Sequence, residues 1–204
     1  DANIYLYLER MAFALDLKDE ALDFSAKVEM VKDEKVLAKE FLYRYQILKS
    51  KSNDIDMEKF FSYTQLNPNF IKLNESNPMI IDFYHDYYFF LLKSQNQTLA
   101  NEILKKLYDK QKELKAFVYS PFIELELSKL AKDENDVQKS IDYLLESLLN
   151  TRKIKANDEI KIYYDVLNLY DKLGNKQKKD EYLLKCKEVK DSVDSLYKKM
   201  CDEM

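Results

Sequence analysis

The sequence predicts an all-α chain of stacked helical hairpins, and three observations carry that prediction. Glycine occurs once and proline three times in 204 residues, which removes the residues that tight β-hairpins and phosphate-cradling loops rely on. Apolar side chains recur three and four residues apart almost from end to end, the spacing of one helix face. Short polar joints separate about eleven such stretches, and none alternates as a strand would.

The first helix places Tyr5, Leu8, Ala12 and Leu15 on one side. After LKDE, a second buries Leu22, Phe24, Val28 and Val31, and a third runs from Val36 to Leu48. SKSNDID interrupts the pattern, with Ser52 or Asp56 as the cap of a fourth helix from about Met57 to Leu66. That helix must stop before Pro68, which disfavours helical geometry in the preceding residue. NPNFIKLNESNP, Asn67 to Pro78, reads as the longest loop. Helices resume over about Met79–Lys93, Thr98–Lys115, Pro121–Ala131 with Ser120 as cap, Val137–Leu149, Asp158–Leu173 capped by Asn157 or Asp158, and Lys176–Lys190. Val193, Leu196, Tyr197, Met200 and Met204 give a last amphipathic helix with a polar outer face, suited to closing a stack of repeats.

The single glycine sits in LYDKLGNKQKK, where Leu173-Gly174-Asn175 ends one helix and Lys176 starts the next. The residue just past a helix end often takes the left-handed conformation, which only glycine adopts without strain. Asp16, Lys51, Gln95 and Asn135 occupy the matching place at other joints, where they must tolerate strain or turn differently. This Leu-Gly turn between two helices resembles the tetratricopeptide repeat, a helix–turn–helix unit of about 34 residues. The resemblance implies a right-handed α-solenoid of about five hairpins, over 2–33, 34–68, 79–115, 121–150 and 158–190, with 193–204 as capping helix in a single domain over 1–204. The match is degenerate: the small residue usual on the first helix appears as Glu9, Arg44, Tyr88, Ser128 and Leu167, and the usual alanine of the second survives as Ala21 and Ala100. The apolar opening IYLYL and MAFAL lacks a polar cap, so the expectation is a helix stacked on an upstream repeat, the chain being the C-terminal part of something longer.

Composition narrows the chemistry. A net charge of −4 with both signs interspersed implies no nucleic-acid partner. The most apolar stretch, MIIDFYHDYYFFLL, carries Asp82, His85 and Asp86 and falls short of a membrane span. One glycine cannot build a dinucleotide or Walker loop, and one histidine with two cysteines cannot close a zinc site without carboxylates, so no cofactor and no metal are expected. KDEND reads as a solvated helix connection rather than a calcium loop. His85 lacks a nucleophile at a recognisable spacing and reads as a groove or surface residue, so no catalytic residue is assigned. The run Phe83, Tyr84, Tyr87, Tyr88, Phe89, Phe90 reads mainly as core.

Carrying the repeat register across, the inner face of the first helices includes Asn3, Arg10, Tyr45, His85, Phe89, Lys129, Tyr164 and Asn168, with Tyr and Arg as good anchors for a protein partner. The basic-and-asparagine clamp of some tetratricopeptide co-chaperones is not reproduced; Asn168 and Lys161 match it in one repeat alone. Cys186 and Cys201 flank the predicted turn KDSVD, so two antiparallel helices would bring them opposite each other. A bridge there closes a loop of roughly 15 residues, contributes about 3 kcal/mol in the chain-entropy account, and implies an oxidising compartment; two buried thiols are the alternative. A stapled cap, an AT-rich residue bias and an uncapped first helix together resemble the C-terminal repeat region of periplasmic scaffold proteins such as the paralysed-flagellum proteins of polar flagellar motors. That resemblance implies a non-enzymatic, periplasmic assembly component with flagellar-motor partners. A cytosolic adaptor or chaperone that holds a peptide in its groove, and a non-catalytic helical domain of a cell-wall enzyme, are the two alternatives.

Overall fold

The computed structural model describes residues 2–30, 34–51, 54–149 and 155–189, and the described residues are helical with no strand among them. The helices gather into two compact units, Asp1–Ile103 and Leu104–Met204, where the sequence predicts a single domain. The first unit holds α1 (Ala2–Ala14), α2 (Lys18–Glu29), α3 (Glu34–Lys51), α4 (Asp54–Leu66), α5 (Asn69–Leu73), α6 (Ile80–Lys93) and the start of α7 (Gln97–Glu113). The second holds the rest of α7, α8 (Phe122–Asp133), α9 (Val137–Leu148), α10 (Ala156–Lys172) and α11 (Lys176–Val189). Within each unit the second helix of one hairpin packs on the first helix of the next: α2 on α3, α4 on α6, and α9 on α10.

One turn recurs at the hairpins. Asp16, Gln95, Lys115, Asn135 and Gly174 all lie in the left-handed region, at φ of 60°, 59°, 52°, 59° and 65°. Each sits in the same pair of hydrogen bonds. At Gly174, its amide donates to Asp171 O at 2.9 Å and the Asn175 amide to Tyr170 O at 3.0 Å. At Asn135 the partners are Lys132 O at 3.0 Å and, from Asp136, Ala131 O at 2.8 Å; Asp16, Gln95 and Lys115 repeat the pattern. These are Schellman closures, which satisfy carbonyls that a helix end otherwise leaves orphaned. The residue after the turn then opens the next helix: Asn96, Asp136 and Asn175 each accept, through Oδ1, the amide three residues on. Leu17 holds that place in the first hairpin and makes no side-chain cap.

The turn residues Gln95, Asn135 and Gly174 stand 40 and 39 residues apart, so the repeat is longer than the roughly 34 residues expected. One 17-residue helix in each interval, α7 in the first and α10 in the second, contributes to the difference. Lys51 departs from the expected register, because α3 continues through it as helix. Lys115 takes the left-handed turn instead, at the end of α7.

The expected loop over 67–78 contains α5. Pro68 fixes its entry, Phe70 and Ile71 are buried, and Asn74 Nδ2 donates to Ala38 O at 2.7 Å and Phe70 O at 2.8 Å. Asparagine thus closes a buried helix end rather than decorating a solvated loop. Ser120 is not a cap: its hydroxyl donates to Glu124 Oε1 at 2.7 Å, and Pro121 holds the N-cap place. Asn157 and Asp158 lie inside α10, whose N-cap is Lys155, and Asp56 lies in the first turn of α4. Ser52 and the capping helix 193–204 lie outside the described residues.

Aromatic rings fill the first unit. Phe41 meets Phe60 and Phe83 at 5.1 Å between centroids, Phe61 stacks on Tyr87 at 5.4 Å, and Tyr45 sits edge-on to Phe83 at 5.5 Å. Such pairs add about 0.5–1.5 kcal/mol each beyond the area they bury. In the second unit the core is mainly aliphatic: Ile141 and Leu144 of α9 meet Ile162, Val166 and Leu169 of α10, with Tyr170 stacked on Tyr182 at 5.6 Å. Where α8 crosses α9, the buried hydroxyls of Ser128 and Ser140 meet at 2.8 Å, small side chains that let the two helices approach.

Candidate partner-binding surface

Numbering back from each left-handed turn sorts the expected binding residues. Arg10, Phe89, Lys129 and Asn168 all stand six residues ahead of their turn, and all four are exposed. His85 and Tyr164 stand ten residues ahead, one helical turn earlier on the same side. The helix face is thus repeated from hairpin to hairpin with varied chemistry: a guanidinium, a phenyl ring, an ammonium and a carboxamide at one position. Asn3 is exposed near the start of α1.

Tyr45 is the correction. It is 1% exposed, because its assignment to the face assumed a turn at Lys51 that α3 does not make. Its ring belongs to the aromatic core, and its hydroxyl donates to Asp86 Oδ2 at 2.6 Å. Lys49 Nζ lies 2.9 Å from the same carboxylate oxygen, and His85 Nδ1 lies 2.9 Å from Oδ1. Burial opposes a charge on Asp86, but hydrogen bonds from His85, Tyr45 and Lys49 outweigh it and hold the carboxyl at about 2. The anchored carboxylate orients the imidazole, which stands edge-on to Phe89 at 5.1 Å. Tyr45 therefore supports the His85–Phe89 surface from beneath.

In the second unit, α8 and α10 border a cleft of about 310 Å³. Phe122, Leu125, Leu144 and Ile162 line it with apolar surface, and Lys129, Lys132 and Lys161 stand at its edge. Each lysine faces a carboxylate: Lys129 and Glu126 at 2.6 Å, Lys132 and Asp165 at 3.4 Å, Lys161 and Asp158 at 3.0 Å. Exposed pairs of this kind contribute little to stability, about 0–1 kcal/mol, so a ligand can exchange them cheaply. Tyr164 and Asn168 lie on α10 beside the lining residues Lys161 and Asp165. From sequence, Asp158 reads only as a cap, and Lys132 and Asp165 have no binding role; their signal is position, three residues from Lys161, Lys129 and Asn168 respectively on the same helices.

Among the described residues no group of three or more His, Cys, Asp or Glu side chains is placed to hold a metal ion, and no helix is long and apolar enough to cross a membrane. Cys186 is fully buried against Ile160, with Tyr163 and Val189 alongside. Cys201 lies outside the described residues, and the expected Cys186–Cys201 bridge with it.

No family model and no curated protein matches the chain. Solved structures similar to it are TPR-like repeat proteins. BtubC (BKLC) from P. vanneervenii is 10% identical, with 92% of this chain and 79% of that chain covered, at a TM-score of 0.47. A putative kinesin light chain of "Podosopora anserina", with nearly identical TPR-like repeats, is 11% identical, with 92% and 93% covered, at 0.42. The APC/C hetero-tetramer Cut9–Hcn1 gives a match at 16% identity, with 93% and 34% covered, at 0.39.

Proposed function

We propose that the chain is a non-enzymatic protein–protein interaction scaffold, and that it holds protein partners on the repeated first-helix face. The observation that carries this reading is the shared position of Arg10, Phe89, Lys129 and Asn168, four different and exposed side chains at one place in the repeat. Arg10 and Phe89 offer this position in the first unit, and Lys129 and Asn168 in the second, so each unit presents a partner with two different side chains there. The cleft between α8 and α10 adds apolar lining with replaceable ion pairs at its edge. Phe89→Ala combined with Lys129→Glu and Lys132→Glu is expected to abolish recovery of partners from the native cell while leaving the thermal midpoint unchanged. Full recovery by this variant would rule out the face.

A finer reading places the scaffold outside the cytoplasm, as an envelope or flagellar-motor assembly component in the periplasm. What supports it is the full burial of Cys186 near the end of α11, a site suited to a protected bridge to Cys201. Alkylation of unreduced, denatured protein from its native host decides the point. A linked pair supports export; two alkylated thiols favour the cytosolic peptide-binding adaptor.

A further inference from the structure

Seven residues ahead of the left-handed turns stand Glu9, Tyr88, Ser128 and Leu167, and all are buried. Three of these are side chains that a core accepts; Glu9 is not. It is 0% exposed, and neither carboxylate oxygen has a hydrogen-bond partner among the described residues. A second acid, Glu40 of α3, is 4% exposed and accepts a hydrogen bond from the buried Ser25 of α2. The cavity beside Glu40 and Arg44 measures about 10 Å³, at the lower limit for one water molecule. Two carboxyls are therefore buried on helices that pack against each other, Glu9 on α1 without a hydrogen-bond partner among the described residues and Glu40 on α3 with one from Ser25.

We infer that Glu9 and Glu40 form a proton-dependent lock, which holds the α1–α2 hairpin on α3 while both are protonated and releases it when they ionise. The surroundings support the protonated form. Burial raises Glu9 to about 7, against the pull of Arg10 and Arg44. Burial raises Glu40 to about 8, opposed by the Ser25 hydrogen bond and reinforced by the charge of Glu9. The groups around the pair are Arg10 on α1, Ser25 and Glu29 on α2, Arg44 on α3, and Asp56 and Tyr63 on α4, which act on Arg44. Arg44 attracts Glu9 but does not outweigh its burial: one guanidinium nitrogen bonds Glu29, and the buried Nε has no hydrogen-bond partner among the described residues. Neutral carboxylic acids are tolerated in such a site; two carboxylates are not. The lock does not depend on the partner-binding reading. One consequence does rest on it: release of α1 would take Arg10 out of the exposed row.

Hydrogen exchange on the full chain tests this, after correction for intrinsic rates. Protection in α1 and α2 is expected to fall by about tenfold or more between pH 6 and pH 9, while α8 to α11 hold theirs. Glu9→Gln with Glu40→Gln, which keeps shape without charge, is expected to make the α1–α2 protection independent of pH. Protection in the wild type that does not change with pH, or a double variant that keeps the wild-type dependence, would overturn the proposal. Should the double variant fail to fold, carboxyl NMR titration of the wild type decides alone. Titration of either acid above pH 6 supports the lock, and titration of both in the ordinary range rejects it.

Discussion

Tyr45 and Asp86, 41 residues apart in the chain, are joined by a hydrogen bond of 2.6 Å between the phenol of α3 and the carboxylate of α6. A hydrogen bond to a charged group contributes about 1.5–3 kcal/mol. Tyr45→Phe keeps the ring among Phe60, Phe61 and Phe83 and removes the hydroxyl, which donates to Asp86 and also accepts from Lys49 Nζ at 3.1 Å. The expected result is a loss of stability in that range by urea unfolding at neutral pH.

The same carboxylate sets a pH limit. Asp86 is held at about 2, below its ordinary 3.8. Its contribution is complete above the unfolded value and is lost as pH falls through the folded one. Between pH 4 and pH 2 the wild type should lose stability more steeply than Asp86→Asn, as followed by circular dichroism.

The left-handed turns respond oppositely to glycine. A Cβ at Gly174 would meet nothing within 4 Å, so the cost of Gly174→Ala is backbone strain alone, about 1–2 kcal/mol. Gln95→Gly and Lys115→Gly relieve the same strain and are expected to raise the urea midpoint. The gain is smaller at Asn135, since asparagine tolerates this conformation.

Ser128 and Ser140 give a test of the α8–α9 crossing. Ser128→Ala strands a buried hydroxyl on Ser140 and should cost about 1–3 kcal/mol, whereas removal of both hydroxyls should cost less than the two single changes combined. A double-mutant cycle reads the coupling.

The single glycine made the turn legible, because its position states the backbone conformation outright. From it, Asp16, Gln95 and Asn135 could be placed by register, although none is a glycine. Lys51 could not: SKSNDID signals a break, yet α3 runs through Lys51 as helix. Lys115 was invisible for the complementary reason: a lysine gives no local sign of a left-handed turn. The proline-and-asparagine stretch 67–78 read as loop because its residues favour turns, yet Phe70 and Ile71 gain more by burial against the aromatic core. The candidate face was legible wherever the turn was. Tyr45 fell off it with Lys51, and Asp165 and Lys132 joined it only through the geometry of two facing helices. Glu9 was noted as an unusual residue at a close-packed position, but its burial with Glu40 needed the tertiary arrangement of α1 and α3.

Site-specific photo-crosslinking in the native cell tests the binding face most directly. A photoreactive residue is placed in turn at Phe89, Lys129 and Asn168 on first helices, and at Glu102 and Gln138 on second helices, all exposed positions. The account predicts discrete protein adducts from the first three and none from the last two. Adducts from Glu102 and Gln138 with none from Phe89, Lys129 and Asn168 would contradict it.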